Sequence, residues 1–485
     1  MPDGTRTNPE SQPFTWSADE IRRVGYQTVD LIAQHLTTLP DAPVFRPVPA
    51  EAAEGWIASP PPSAGESADA VLARFAEEIA PYPFGNGHPR FYGWVNSPPA
   101  VIGVFAAALA AAMNPSVAGG NHAAVWVERQ VIEWFKTILG FPRDGMGLLV
   151  GGASAAAITG LAVARHVAHA RRGWDVRAEG VHPAPFRVYI SGEGHSAHHK
   201  AIELLGLGQA SIRSVPTDAA LRMRPDALDA MLAEDIAAGY VPVAVVASAG
   251  TVNTGSIDPL DAIADVCAKH GVWMHVDGVY GAPAILTDEY RRVLAGLARA
   301  DSVAVDPHKW LYVPVDAGLV LVRDAQALRD TFSLVPPYIR TDGNIHGVQG
   351  PPWFSEYGAE QTRPFRALKV WMALRYFGLD GYRGLIAHDI AMARYLAGRV
   401  RATPGLELWE PAGLSIVCFR TADDARNRAV LHDVQLAGHA FLSSTVLDGK
   451  FWFRACIVNP RATEADIDAM LAAITALLDP AASGR

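Results

Sequence analysis

Residues 271–310 read GVWMHVDGVYGAPAILTDEYRRVLAGLARADSVAVDPHKW. Two apolar runs within this stretch, 271–277 and 301–306, have the length and composition of buried strands. The first ends at Asp277, and the second runs into Asp306-Pro307-His308-Lys309. Working outward, 186–191 and 242–248 supply two more such runs, and 259–270 has helical periodicity. Strands alternating with helices predict an α/β fold with a mostly parallel sheet covered by helices on both faces. Ligands collect at the carboxyl ends of strands in such sheets. Asp277 and Lys309 fall there.

Toward the N-terminus, 17–39 places Ile21, Val24, Val29 and Ile32 at helical spacing, and 40–62 is a connector rich in proline and small residues. A second amphipathic stretch, 68–79, leads into PYPFGNGHPRFYGW, whose glycines and aromatics suit a loop. This arm has little core of its own and is expected to pack on another domain or on a partner subunit. The apolar run 98–113 is largely alanine and falls short of the roughly 20 residues a membrane span needs, so it is expected as a buried helix. Beyond residue 384 the pattern changes to a long helix over 385–401, strands over 414–420 and 451–458, and a closing helix over 463–478. The expected division is an N-terminal helical arm over 1–98, a large ligand-binding domain over 99–384 and a small α+β domain over 385–485. No internal repeat is found.

With 485 residues, half of them hydrophobic, the chain can bury a large core. Its net charge of −9 comes from scattered acids and bases with no basic stripe, which argues against nucleic acid as a partner. The three cysteines, Cys267, Cys418 and Cys456, match neither a disulfide framework nor zinc-ligand spacing. They read as packing residues in a reducing cytosol. No secretory signal opens the chain, so a cytoplasmic location is expected and no membrane partner.

Lysine amines attack aldehydes, and a desolvated lysine is a good Schiff-base former, which makes Lys309 the leading candidate for covalent chemistry. Asp277, about thirty residues earlier at another strand end, is the type of group that keeps a cofactor's pyridine nitrogen protonated. Gly151-Gly152-Ala153-Ser154 precedes an alanine-rich helix, where glycine allows close approach and free N–H groups suit a phosphate. Ser154 lacks the context of a hydrolase elbow. In GEGHSAHHK, His195 sits where an imidazole can lie against a cofactor ring. A His-x-x-His-His metal site through His198 and His199 lacks completing ligands nearby, so no metal is expected.

HPRFYGW, GGASAAA, GEGHSAHHKA, HVDGVYGAPA, DPHKWLYVP and QTRPFRALKVW occur in the order and spacing of the group II pyridoxal-phosphate decarboxylases, and over nearly the whole chain the sequence most resembles the aromatic-L-amino-acid decarboxylase branch. The resemblance implies the aspartate-aminotransferase type of fold (fold type I), pyridoxal 5'-phosphate as cofactor, and a homodimer with shared active sites and a wrapping N-terminal arm. It implies that Lys309 carries the cofactor as a Schiff base, that Asp277 partners the pyridine nitrogen and that His195 stacks on the ring. Ala153, Ser154 and His308 match the phosphate-binding positions. Tyr338, in SLVPPYIRTDG, matches a mobile-loop tyrosine that supports protonation of the quinonoid intermediate; in relatives, phenylalanine there accompanies aldehyde formation.

Two positions depart from the family pattern: Val252 replaces a hydroxyl residue after the strand ending near Ser248, and Val279 replaces a smaller alanine under the ring. The implied reaction is decarboxylation of an L-amino acid to its amine, with an aromatic substrate favoured by Phe91, Tyr92 and Trp94 as a candidate pocket. Those three are also suited to ordinary packing of the arm. The alternatives are an acidic or aliphatic amino-acid substrate, an oxygen-dependent aldehyde synthase, and a catalytically silent binding homologue.

Overall fold

The computed structural model describes residues 14–335, 350 and 353–478. Its strands are β1 (Phe91–Tyr92), β2 (Met146–Val150), β3 (Phe186–Ser191), β4 (Ile212–Val215), β5 (Val241–Ser248), β6 (Trp273–Asp277), β7 (Ser302–Val305), β8 (Gly318–Val322), β9 (Glu407–Leu408), β10 (Ile416–Arg420), β11 (Phe441–Leu447) and β12 (Lys450–Cys456). Seven form one sheet in the order β2-β8-β7-β6-β5-β3-β4. β4, β3, β5, β6 and β7 pair in parallel, and β8 runs against its neighbours β2 and β7. Every residue of β2, β6, β7 and β8 is buried, as a sheet covered on both faces requires. This is the α/β architecture expected from the strands around Asp277 and Lys309.

The helix Ala153–Ala170 packs across β5 to β8. Its N-terminal turn is held close to β8. A Cβ on Gly318 would lie 2.5 Å from the Gly152 Cα, and Gly152 itself has φ +149, so both positions need a residue without a side chain.

The second sheet has the order β1-β11-β12-β10-β9. Phe91 and Tyr92, expected in a loop, pair in parallel with Phe441 and Leu442, which ties the arm to the C-terminal region. The helix expected over 385–401 belongs to a longer run, Ala367–Ala402, interrupted at Gly378 (φ 64°, ψ 173°). The division placed at 384/385 therefore falls inside a helix and not at a linker. Loss of helical geometry at one glycine leaves the apolar periodicity on either side intact, so the pattern alone did not place it.

The alanine-rich run forms the helix Val101–Met113, but of its residues only Gly103 and Ala106 are buried. Val101, Phe105, Leu109 and Met113 are exposed, which corrects the expectation of a buried helix. An apolar run without polar positions marks no face, so composition cannot separate a core helix from one that meets another surface. Among the described residues no helix is long and apolar enough to cross a membrane. Cys267, Cys418 and Cys456 are free and buried.

Candidate active site

The parallel strands bring the chemistry to one edge. β5 and β6 end together, with Ser248 opposite Asp277, and Asp277 is opposite Ala304 of β7. Four residues after β7 ends, Lys309 lines the same cleft as Asp277 and His195. The turn is fixed by the Lys309 N–H donating to the Asp306 carbonyl at 2.9 Å. The Lys309 amine lies 3.5 Å from Asp306 Oδ2, and Asp306 Oδ1 is buried with no hydrogen-bond partner.

Asp277 is held by a residue the sequence reading did not assign. His198 Nε2 donates to Asp277 Oδ2 at 2.9 Å, and both side chains are buried. Burial alone raises the Asp277 carboxyl. The His198 hydrogen bond and the charges of Lys309 and His195 more than reverse this, holding it well below the usual carboxylate range. An anion fixed at this strand end is what a protonated pyridine nitrogen requires. The signal for His198 was present in sequence, since it lies three residues after His195 and so within one helical turn of it.

His195 caps the helix Ser196–Leu204. The Ala197 N–H donates to its Nδ1 at 3.0 Å, which leaves Nε2 to carry the proton of the neutral ring. Burial lowers its pKa, assisted by Lys309 and His198 and opposed by Asp277, so the ring is neutral at pH 7. A neutral imidazole stacks on a cofactor ring without adding charge. His199, by contrast, points to Gln209 Oε1 at 3.1 Å. The two histidines thus serve separate partners.

Ala153 and Ser154 form the first turn of the helix Ala153–Ala170, whose Gly152 cap position offers no side-chain hydrogen bond to its N–H groups. Free N–H groups and the positive end of the helix dipole fit a phosphate. His308 closes this turn: a Cβ on Gly152 would lie 3.2 Å from its Cε1, and its Nδ1 lies 2.8 Å from the Ala317 carbonyl oxygen and 3.1 Å from the Ala317 nitrogen. Arg366 stands nearby, unassigned from sequence, with its Nη2 3.8 Å from where a Cβ on Gly151 would lie. It is bound to Asp316 at 2.8 Å and to Glu360 at 2.8 Å. The lysine, the anionic aspartate, the neutral histidine and the glycine-lined helix start together match the functional groups of pyridoxal 5'-phosphate.

Phe91, Tyr92 and Trp94 do not line this cleft within the chain. Phe91 stacks on Phe441 at 5.1 Å, Tyr92 is buried in the core of the small sheet, and Trp94, 46% exposed, stacks on Phe84 at 5.6 Å. The reason is β1: pairing with β11 turns the aromatic side chains into the small domain's packing. The next residue, Val95, reaches the cleft instead, beside Val252 and Val279. Arg454 of β12 joins these segments, donating Nε to the Val252 carbonyl at 2.7 Å and Nη1 to the Trp94 carbonyl at 2.9 Å. Tyr338 lies outside the described residues.

Residues 57–422 match the pyridoxal-dependent decarboxylase conserved domain. The chain belongs to the pyridoxal-dependent decarboxylase family. It is similar to an aromatic-L-amino-acid decarboxylase of Bacillus atrophaeus, 35% identical over 97% of this chain and 98% of that protein. It is also 29% identical to tryptophan decarboxylase 1 of Oryza sativa subsp. japonica, over 91% of this chain and 90% of that one. A crystal structure of Oryza sativa TDC with PLP and tryptamine superposes with a TM-score of 0.89 at 27% identity, covering 97% of this chain and all of that one. As a pyridoxal-dependent decarboxylase, the chain is a carboxy-lyase of fold type I, and its cofactor is pyridoxal 5'-phosphate.

Proposed function

We propose that this decarboxylase takes an aromatic L-amino acid to its amine and carbon dioxide, working as a homodimer with shared active sites. The observation that carries the reading is the placement of an anionic Asp277 and the Lys309 amine on adjoining strand ends of one cleft. The cofactor, when bound, supplies the electron sink for the pair released as the carboxylate leaves. Lys309 would hold the cofactor covalently through its aldehyde carbon. Asp277 holds the proton on the pyridine nitrogen, and His198 fixes the orientation of that carboxylate. Neutral His195 covers one face of the ring. Ala153, Ser154 and His308 bind the phosphate. Val95, Val252, Val279 and Tyr280 give the cleft an apolar wall that excludes water. Tyr338 delivers the proton at Cα, a role resting on family resemblance.

The aromatic substrate is supported by the similarity to aromatic amino-acid decarboxylases and by that apolar wall. The dimer is supported by the exposed apolar faces of Val101–Met113 and of Ala18–Thr38, where Ile21, Tyr26 and Val29 lie open. The buried unpaired cysteines suit a reducing compartment, which favours the cytosol.

A panel of L-amino acids assayed for carbon dioxide and for amine tests the substrate class. The highest kcat/KM is expected with an aromatic side chain; a preference for glutamate or aspartate would overturn that part. Purified protein with no absorbance near the violet edge after addition of cofactor, and no turnover, would point to a silent binding homologue. Mixed dimers of Lys309→Ala and Tyr338→Phe subunits are expected to regain activity, because one site in each keeps both residues. No rescue after demonstrated subunit exchange would remove the shared site.

A further inference from the structure

The turn that follows Lys309 is gripped by a helix of the C-terminal half. Asp389, on the helical run Ala367–Ala402, accepts two hydrogen bonds at Oδ2, from Trp310 Nε1 at 2.8 Å and from the Tyr312 hydroxyl at 2.7 Å. Two turns earlier on that helix the Tyr382 hydroxyl donates to the Leu311 carbonyl at 3.0 Å. Each of the three residues after Lys309 therefore has a bond to the same helix. Tyr312 is held at φ +55, a left-handed conformation that a tyrosine adopts only when its surroundings impose it. Trp310 in turn stacks on Tyr280 at 5.0 Å, and Tyr280 follows Asp277 by three residues and lines the cleft.

Asp389 is fully buried, and among the described residues no cation pairs with it. The titratable groups that interact with it are Tyr312 and Cys456, both with pKa values raised first by burial, while the Tyr382 hydroxyl is turned to the Leu311 carbonyl. The neighbouring His388 is turned to the Ala462 carbonyl at 2.9 Å. Burial pushes the Asp389 pKa up to about 8, against hydrogen bonds from Tyr312, Trp310 and the Asn459 backbone that pull it down. A carboxyl kept in the core without a counter-ion costs stability unless its hydrogen bonds do something specific.

We propose that Asp389 is a positioning residue for Lys309, fixing the Trp310–Tyr312 turn through two donors so that the lysine amine is presented to the cleft beside Asp277. The proposal rests on Lys309 as the cofactor-bearing residue. Asp389→Leu keeps bulk but removes the acceptor, and Asp389→Asn restores an acceptor oxygen of the same shape. In the holoenzyme, the leucine variant is expected to lose at least tenfold in kcat with KM within threefold. The visible absorbance of its lysine–cofactor Schiff base is expected to shift, and the asparagine variant to recover most of both. A purely structural role would lower the unfolding temperature and leave kcat and absorbance of the folded fraction unchanged, and that result would overturn the proposal. So would an asparagine variant as impaired as leucine. Where the leucine variant does not fold, Tyr312→Phe removes one donor and leaves the acid; a kcat reduced about threefold or more supports positioning, and a parent-like kcat and spectrum overturns it. Borohydride trapping and peptide mapping of the parent separate the two readings: label on another lysine refutes Lys309 itself, whereas label on Lys309 with an indifferent Asp389 refutes only the positioning.

Discussion

The strand edge carrying Asp277 and Lys309 and the aromatic run 91–94 both offered chemistry to a reader of the sequence, and within one chain only the first lines the cleft. At the edge, parallel pairing fixes which residues meet: Asp277 stands between Ser248 and Ala304 in register, so its carboxylate has one place to go. The aromatic run has no such constraint until β11 arrives beside it, and its rings then pack with Phe441. Polar residues where buried strands end are read by topology, while aromatic residues in a loop take whichever apolar partner the fold supplies.

The sharpest way to break this contrast is at Lys309. Lys309→Ala is expected to abolish turnover and the covalent link to cofactor, measured by borohydride reduction and peptide mapping. Asp277→Asn comes next, with an expected loss of several orders of magnitude in kcat, since an uncharged partner no longer holds the pyridine proton. A variant within about tenfold of the parent, roughly 1.4 kcal/mol of barrier, would contradict that role.

The aromatic run should behave oppositely. Phe91→Ala is expected to cost about 3 kcal/mol of stability by opening a cavity, seen as a lower unfolding temperature, while KM for the best substrate stays within threefold. A large KM effect with unchanged stability would return Phe91 to the substrate pocket.

At mildly acid pH the expected effect is smaller still, a partial acid loosening of the edge region. Burial holds His275, behind Asp277 in β6, down to about 3 from an unfolded value of 6.5. The folded state therefore binds fewer protons than the unfolded one between these values. Stability is full above pH 6.5 and falls as the pH drops toward 3. Unfolding midpoints measured across that range should decline, and the decline should be shallower in His275→Gln; equal slopes would assign the acid sensitivity elsewhere.

What could be read in advance follows the same division. Buried strands of a parallel sheet are apolar throughout and stop at polar residues, so β5, β6 and β7 and the positions of Asp277 and Lys309 were legible. His195 and the Gly152 turn were legible as local motifs. His198 was visible only as one half of a contact, because its partner lies 79 residues away. Asp389 gave no signal, since a single aspartate in a helix ordinarily faces water and nothing nearby announces that Trp310 and Tyr312 will meet it. The exposed face of Val101–Met113 was hidden for the opposite reason, a run so uniformly small and apolar that any side could have been the inner one.

The pairing of β1 with β11 also sets a schedule. The Trp94 amide bonds to the Ser443 hydroxyl across 349 residues of chain. At about 5–20 residues per second of synthesis, the arm waits on the order of tens of seconds for its partner strand. During that interval Phe84, Phe91 and Trp94 are an unpartnered aromatic surface on a nascent chain. The arm's sheet contacts therefore cannot form before the β11 residues have been added to the chain.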